Sequence, residues 1–332
     1  MSIAGPPRPE EGRRAGTVTV PDPPGVARRA ASVTRSSAAD DHPEQPRADV
    51  RADHCADLGQ VQLAQPRQLG AQPVGQRGGP LRSGEVVHGD VDLAVHSLKD
   101  LPTAPLPGIL LAAVPAREDP RDALVGRDGA KLADLPPGSR IGTGSPRRAA
   151  QLLGLRADLR CVPIRGNAGT RLGKVSEGEL DAVVLACAGL ARIGHIGAIT
   201  QVFEPDEMLP APGQGALAVE CREDDIELAA LLDVVTDEAS VAAVTAERSL
   251  LEALEAGCSA PIGAYAAGTT RLRMQAAVMS PDGRRMLRAH GDAAAAGAWQ
   301  LGRDLAAELL RSGASDLISG SEGQANSRND AQ

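Results

Sequence analysis

The chain has 332 residues, enough for two or three domains with a sizeable core. Its net charge of −8 gives no indication of a nucleic-acid-binding surface, so we expect no nucleic-acid partner. Because only 1% of the residues are aromatic, the core must consist mainly of Leu, Val, Ile and Ala.

The 5 cysteines are scattered, without the spacing of a metal site or a CxxC motif. We therefore expect no metal centre and a reduced compartment. No apolar run reaches about 18 residues, so no membrane span is expected. The N-terminus lacks the apolar stretch of a signal peptide, which predicts a cytoplasmic protein.

Residues 1–88 differ in composition from the rest of the chain. They are rich in Pro, Gly, Arg, Ala and Gln and contain neither lysine nor an aromatic residue. No sustained hydrophobic periodicity of a strand or helix occurs there. This composition predicts an atypical loop or disordered region.

From Asp90 onward, short apolar runs alternate with helical patterns, which predicts an α/β chain with several sheets. The predicted strands are Val91–His96, Leu110–Val114, Asp122–Val125, Leu159–Ile164, Asp181–Leu185, Ala216–Cys221, Gly263–Ala267 and Leu272–Met279. The predicted helices are Arg147–Leu153, Thr170–Gly178, Glu238–Ala256 and Ala293–Arg311. Residues 319–332 have the composition of a disordered tail.

The segment Thr143–Arg148 has the pattern of a helix start that binds an anion. Thr143 and Ser145 are good N-cap residues, and Pro146 suits the first helical position. Arg147 and Arg148 then lie in the first turn, where their charge is unfavourable, and a bound anion would reverse this penalty. A solvated arginine pair is an equally good interpretation of this segment alone.

A second strand-to-helix turn carries Arg165, Gly166 and Arg171. Ligands bind at this edge of α/β sheets, although an ordinary loop would have the same sequence. Two such loops in one domain favour a polyanionic ligand.

The loop His96–Pro102 places Lys99 beside Asp100 after a predicted strand. Such a carboxylate could act in acid–base chemistry or stabilise a cation, or it could cap a helix on the surface. Cys258 lies on another loop, between Gly257 and Pro261, where a thiol can be accessible and nucleophilic. The alternative, a small buried apolar residue, suits the cysteines in apolar runs: Cys161, Cys187 and Cys221.

In this order, the segments together resemble the hydroxymethylbilane synthase family, also known as porphobilinogen deaminase. The resemblance covers roughly residues 89–318, and only the combination of motifs is specific. The matching segments are Val91–Pro102, Arg117–Val125, Gly142–Gln151, Arg165–Leu172, Asp181–Gly194, Leu209–Arg222 and Glu247–Gly263.

The resemblance implies three α/β domains, of which the first two resemble periplasmic binding proteins and the third, a small α/β domain, carries a cofactor cysteine. Residues 89–118 and 213–236 would form the remainder of domain 1. Residues 119–212 would form the carboxylate-binding domain 2, and residues 237–318 domain 3.

The resemblance also implies an enzyme that condenses four porphobilinogen units, with release of ammonia, to the linear tetrapyrrole hydroxymethylbilane. The family's dipyrromethane cofactor is held through a thioether at the position of Cys258. The catalytic aspartate matches Asp100, with Ser97 and Lys99 beside it. Further binding positions match Thr143, Ser145, Arg147, Arg148, Arg165, Gly166, Arg171 and Arg192. We expect a monomer whose partner is porphobilinogen.

The chemistry agrees with these residue types. Each porphobilinogen carries an acetate and a propionate, so the growing chain needs bidentate cationic partners. Loss of ammonia leaves a cationic azafulvene-type intermediate, which a carboxylate such as Asp100 can stabilise. A covalent primer keeps every intermediate at one site.

The sequence departs from the family at its start. The family's Thr-Arg-x-Ser-x-Leu-Ala, Thr-x-Gly-Asp and Lys-Gly-x-Phe signatures have only a faint echo at Thr34–Ala39, and no lysine precedes Lys99. Gly144 and Pro146 stand where Ser and Leu are frequent. We expect residues 1–88 to be a frame-shifted or misassigned start joined to a genuine remainder.

Two alternatives stay open. A non-catalytic anion-binding module would need the arginine loops but neither Asp100 nor the Cys258 loop. An inactive remnant would keep the fold of domains 2 and 3 without turnover.

Overall fold

The computed structural model describes residues 83–255 and 260–318. Residues 1–82, the segment 256–259 with Cys258, and residues 319–332 lie outside the described residues, so their predictions stay predictions. Strands and helices alternate through the described part, and the predicted α/β class is confirmed.

The strands and helices have the following bounds. The strands are β1 (Leu93–Ser97), β2 (Ile109–Ala113), β3 (Asp122–Gly126), β4 (Arg140–Gly142), β5 (Arg160–Val162), β6 (Ala182–Ala186), β7 (Gln201–Phe203), β8 (Leu217–Arg222), β9 (Ile262–Ala267), β10 (Arg271–Met279) and β11 (Met286–Ala294). The helices are α1 (Ser83–Val87), α2 (Pro146–Leu155), α3 (Ala168–Ser176), α4 (Cys187–Arg192), α5 (Ile226–Asp233), α6 (Glu238–Ala253) and α7 (Ala298–Arg311).

The described strands form three sheets. The first has the order β1-β8-β2 and is antiparallel. The second has the order β5-β4-β6-β3-β7, in which β4 lies parallel to both β5 and β6. The third is an antiparallel meander of β11, β10 and β9. The chain thus leaves the first sheet after β2, builds the second, and returns to the first as β8.

Aliphatic side chains fill the cores, as the composition predicts. The second sheet is covered on both faces, and all five residues of β3 are buried. Phe203, the one phenylalanine of the chain, is buried in one of these layers with Leu124 and Ile141. The third sheet packs against α6 and α7 through residues such as Leu250 and Leu305.

Several predicted elements need correction. Helix α1 lies where composition predicts a loop or disorder, because Val86 is buried and Ser83 hydrogen-bonds Glu220. Helix α6 ends at Ala253 rather than Ala256, since Glu255 adopts a left-handed φ of 48°.

The start of the last helix was also predicted wrongly. Ala293 and Ala294 pair with β10 and belong to β11, so α7 begins only at Ala298. The alanine run has high helix propensity, but strand pairing outweighs it here. Strands β7 and β11 and helix α5 were not predicted.

Candidate active site

The turn that carries Asp100 begins directly at the end of a strand. β1 ends at Ser97, and Leu98–Asp100 forms a single 3-10 turn closed by the Leu101 N–H, which donates to the Leu98 carbonyl at 3.2 Å. Leu98 is fully buried, whereas Asp100 is exposed. A buried anchor therefore holds the turn and leaves the carboxylate accessible.

Lys99 lies in the same turn, and its Nζ donates to Oε1 of Gln214 at 3.3 Å. Burial lowers the pKa of Lys99 from 10.5 to about 8, and the positive charge of Arg148 acts in the same direction against that of Asp100. The ammonium therefore loses its charge as the pH rises through about 8.

Two of the predicted carboxylate-binding arginines form a buried cluster with Asp122. Arg147 Nη1 lies 2.7 Å from Oδ2 of Asp122, and Arg148 Nη2 lies 2.7 Å from Oδ1. Burial by itself would raise the pKa of Asp122, but the charges and hydrogen bonds of the two arginines hold it well below its usual range. Two positive charges against one negative leave the cluster with an excess positive charge.

The helix start before these arginines has the predicted capping geometry. The Ser145 hydroxyl accepts from the Arg148 N–H at 3.4 Å, and the Thr143 hydroxyl accepts from the Ser145 N–H at 3.2 Å. Pro146 occupies the first helical position. The unfavourable position of the arginine charges is offset by Asp122 inside the protein.

The second arginine loop lies at the same sheet edge as the first. β4 and β5 are parallel neighbours, and the Thr143 N–H donates to the Val162 carbonyl at 3.0 Å. Since the carboxyl ends of parallel strands meet at one edge, both predicted loops open there.

The side chains of the second loop differ in exposure. Arg165 is exposed, and no hydrogen bond or ion pair is recorded for it in the described residues. Gly166 has a φ of 102°, and its carbonyl accepts from Nε of Arg171 at 2.9 Å. Burial and then the charge of Arg148 lower the pKa of Arg171, so the two loops interact electrostatically.

Arg192 belongs to a third loop at this edge, because β6 is also parallel to β4 and leads into α4. Its Nη2 donates to the Gly215 carbonyl at 3.1 Å. Nε of Arg117 donates to the neighbouring Gln214 carbonyl at 2.8 Å. The crossing back to the first sheet is therefore bound by both arginines.

Gln214 and Asp122 were not singled out by the sequence reasoning. Gln214 is fully buried, and its Oε1 accepts from Lys99 and Arg148, each at 3.3 Å. Its Nε2 donates to Asp122 Oδ1 at 2.9 Å and to the Pro120 carbonyl at 2.7 Å. A carboxylate in a buried strand signals a hidden cationic partner, but a glutamine between two glycines gives no such signal.

The described cysteines are poor nucleophiles. Burial raises the pKa of Cys161 and of Cys187 to about 11, and it also raises the pKa of Cys221. This agrees with their interpretation as small apolar residues. Cys258 lies outside the described residues.

Within residues 83–255 and 260–318, no group of three or more His, Cys, Asp or Glu side chains is placed to hold a metal ion. No helix of this part of the chain is long and apolar enough to cross a membrane. The predictions about metal and membrane concern the whole chain and stay predictions.

Two family models match most of the described chain. Residues 83–230 match the porphobilinogen deaminase dipyromethane cofactor binding domain, and residues 241–311 match the porphobilinogen deaminase C-terminal domain. The match begins at residue 83, slightly before the start at residue 89 that the motifs indicate. The comparison thus supports a dipyrromethane cofactor and a separate C-terminal domain.

The chain is also similar to curated porphobilinogen deaminases. It is 58% identical to that of Thermobifida fusca over 240 residues, which cover 69% of this chain and 75% of the relative. It is 53% identical to that of Mycolicibacterium paratuberculosis over 245 residues, covering 71% and 78%.

Among solved structures, a putative methionine-binding lipoprotein from Bacillus subtilis matches with a TM-score of 0.34 and 13% identity, over 46% of this chain and 74% of that one. An arginine-specific periplasmic binding protein from Salmonella typhimurium matches with a TM-score of 0.30 and 16% identity, over 48% and 70%. Neither match bears on function. The two family models and the identity to the curated relatives establish that the chain belongs to the porphobilinogen deaminase family.

Proposed function

We propose that this chain is an active porphobilinogen deaminase, a transferase that condenses four porphobilinogen units to hydroxymethylbilane, with Asp100 as its catalytic carboxylate. The observation that carries the proposal is the hydrogen-bonded link from the Asp100 turn to the arginine cluster. Lys99 and Arg148 both donate to the buried Gln214 side chain, so the exposed carboxylate and the cationic edge of the second sheet are neighbours.

Each addition needs charge control at two places. The C–N bond of the porphobilinogen aminomethyl group breaks, ammonia leaves, and the freed methylene forms a C–C bond to a pyrrole α-carbon that loses a proton. Positive charge develops on the pyrrole as ammonia departs, and an accessible carboxylate such as Asp100 stabilises it and accepts or donates a proton at the pyrrole nitrogen. The acetate and propionate groups meanwhile need cationic partners.

The described residues fit a dipyrromethane cofactor, which has four carboxylates. Arg165 is exposed at the sheet edge, and the buried Nε of Arg147 has no hydrogen-bond partner among the described residues. We assign the carboxylates to Arg165, Arg171, Arg192 and Lys99, to the hydroxyls of Ser97, Thr143 and Ser145, to the Gly166 loop, and to the excess charge of Arg147 and Arg148. When bound through Cys258, the cofactor supplies a covalently held pyrrole end for the next unit.

We propose a division into three domains that follows the sheets. The sheet β1-β8-β2 would be the remainder of domain 1 (89–118 and 213–236), the five-stranded sheet domain 2 (119–212), and the meander with α6 and α7 domain 3 (237–318). The start of the family match at residue 83 favours adding α1 to domain 1. We further propose a cytoplasmic monomer, since porphobilinogen is a small diffusible substrate.

The test is turnover by the purified full chain. We expect porphobilinogen to be consumed with one ammonia released per unit, as the reaction requires. Binding of porphobilinogen without consumption would instead identify an anion-binding module, and neither binding nor consumption would identify an inactive remnant.

A matched chimera identifies the cause of an inactive result. It carries the N-terminal segment of the Thermobifida fusca relative joined to residues 83–332 of this chain. Turnover by the chimera alone would place the defect in residues 1–82, and inactivity of both proteins would contradict the proposed function.

A further inference from the structure

A cluster of contacts outside the arginine loops joins the Asp100 turn to helix α6. Arg248 lies half-buried on this helix, and its guanidinium donates to three backbone carbonyls. The acceptors are Leu98 at 3.5 Å, Leu101 at 3.2 Å and Pro102 at 2.5 Å. One side chain therefore binds the backbone on both sides of Lys99 and Asp100.

The turn depends on an outside donor because its own backbone provides little support. A single 3-10 turn has one internal hydrogen bond, here from the Leu101 N–H to the Leu98 carbonyl. The Leu101 and Pro102 carbonyls accept from Arg248 instead. Loss of the guanidinium would release the segment directly after the catalytic carboxylate.

The face of α6 that carries Arg248 also packs against the turn. Val241, Val244 and Arg248 follow the spacing of one helix face. Leu98 lies with Val244 in one buried cluster, and Leu101 and Val241 pack against that cluster. Apolar packing and the guanidinium thus act together on the turn.

The same helix leads toward the proposed cofactor cysteine. Its other face contributes Ala246 and Leu250 to the core of the third sheet. The helix ends at Ala253, shortly before Cys258 in the sequence. Arg248 therefore connects the turn of the catalytic carboxylate to the helix that precedes the cofactor loop.

The charge state and shape of Arg248 suit this role. Burial lowers its pKa, while the carboxylates of Glu220 and Glu252 act in the opposite direction. A guanidinium is a planar fork that reaches several acceptors at once, whereas a lysine ammonium is a point donor on a flexible stem.

We propose that Arg248 is a positioning residue that fixes the Lys99–Asp100 turn on helix α6 and so sets the placement of the Asp100 carboxylate. The inference rests on the proposed role of Asp100. Arg248 acts through the backbone of the turn and not through contact with porphobilinogen.

Hydrogen exchange tests the hold on the turn without requiring turnover. In Arg248→Met, which keeps the length and apolar stem, we expect amides in residues 98–103 to exchange about tenfold faster or more, because about 1.4 kcal/mol of local stability corresponds to tenfold. The strands β10 and β11 should exchange as before. Arg311→Met, at an exposed position of α7, is the matched control and should change neither region. Unchanged exchange in the turn of Arg248→Met would overturn the inference.

A kinetic cycle tests the link to Asp100. Arg248→Met should lower kcat about 10- to 100-fold with KM changed less than about threefold, and Arg248→Lys should recover part of the loss. In an Asp100→Glu background, where the carboxylate is already displaced, Arg248→Met should cost much less. Additive losses, or a rise in KM alone, would contradict a positioning role. Near-normal turnover of Asp100→Glu and Asp100→Ala would contradict the proposed function instead, and the exchange data would still decide whether Arg248 holds the turn.

Discussion

The Arg117 guanidinium and the Glu247 carboxylate form a two-bonded ion pair between the segments matched by the two family models. Nη1 lies 2.7 Å from Oε1, and Nη2 lies 3.0 Å from Oε2. Glu247 is fully buried and also accepts from the N–H groups of Gly213 at 2.6 Å and Ala266 at 2.8 Å. One carboxylate thus joins three segments that are distant in sequence.

Glu247→Gln should strongly destabilise the protein. The amide keeps the size of the side chain but leaves the Arg117 charge buried without its partner, which costs about 3–5 kcal/mol in comparable sites. We expect the free energy of unfolding in urea to fall by about that amount. Glu179→Gln, which breaks the surface pair with Lys174, is the control and should change it far less. Equal effects of the two variants would contradict the structural role of Glu247.

Lys99→Arg should remove a pH dependence of substrate binding. The pKa of Lys99 is about 8, so its positive charge, and with it its attraction for a carboxylate, is lost as the pH rises through that value. The KM for porphobilinogen should therefore rise between about pH 7 and 9 in the unmodified chain. The guanidinium of the variant stays protonated over this range, so its KM should rise less. Parallel KM profiles would show that Lys99 does not contact a carboxylate.

Arg171→Gln and Arg148→Gln should fail in different ways. Arg171 is half-buried and bound only to a carbonyl in the described residues, so its loss should weaken porphobilinogen binding about tenfold with little change in Tm. Arg148 is buried against Asp122, so its loss should lower the free energy of unfolding by about 3–5 kcal/mol. Isothermal titration and thermal unfolding of both variants measure the difference. A large stability loss for Arg171→Gln alone would reverse the assignment.

Asp100→Ala should lower turnover at least about 100-fold, the usual contribution of a positioned acid or base. Because Asp100 is exposed on its turn, the Tm should change little. Asp100→Glu should retain part of the activity, since the charge survives at a displaced position. Turnover of Asp100→Ala close to that of the unmodified chain would overturn the catalytic assignment.

The sequence predicted most elements of the second and third sheets because their signals are local. The β3 run of apolar residues and the Ser145–Pro146 helix start each carry their own pattern. Helix α1 carries no such pattern, since its stability depends on the distant contact of Ser83 with Glu220. Strand β11 has partly exposed, polar residues, and only its pairing with β10 makes it a strand.

The candidate site was predictable where charge stands in a recognisable motif. The arginine loops and the Lys99–Asp100 turn were found in this way. The partners that organise them were not, because Asp122, Gln214 and Arg248 act across long stretches of sequence. The buried Asp122 in an apolar strand was the one available clue to the internal pairing of Arg147 and Arg148.

Intact-mass measurement of the purified, active protein tests the central claim most directly. We expect a covalent adduct of two pyrrole units on Cys258, and we expect Cys258→Ser to lose both the adduct and turnover. The cofactor carboxylates should bridge to the arginine loops, so the adduct should also raise the Tm by binding only the folded state. Active protein with an unmodified Cys258, or an adduct on Cys161, Cys187 or Cys221, would contradict the account.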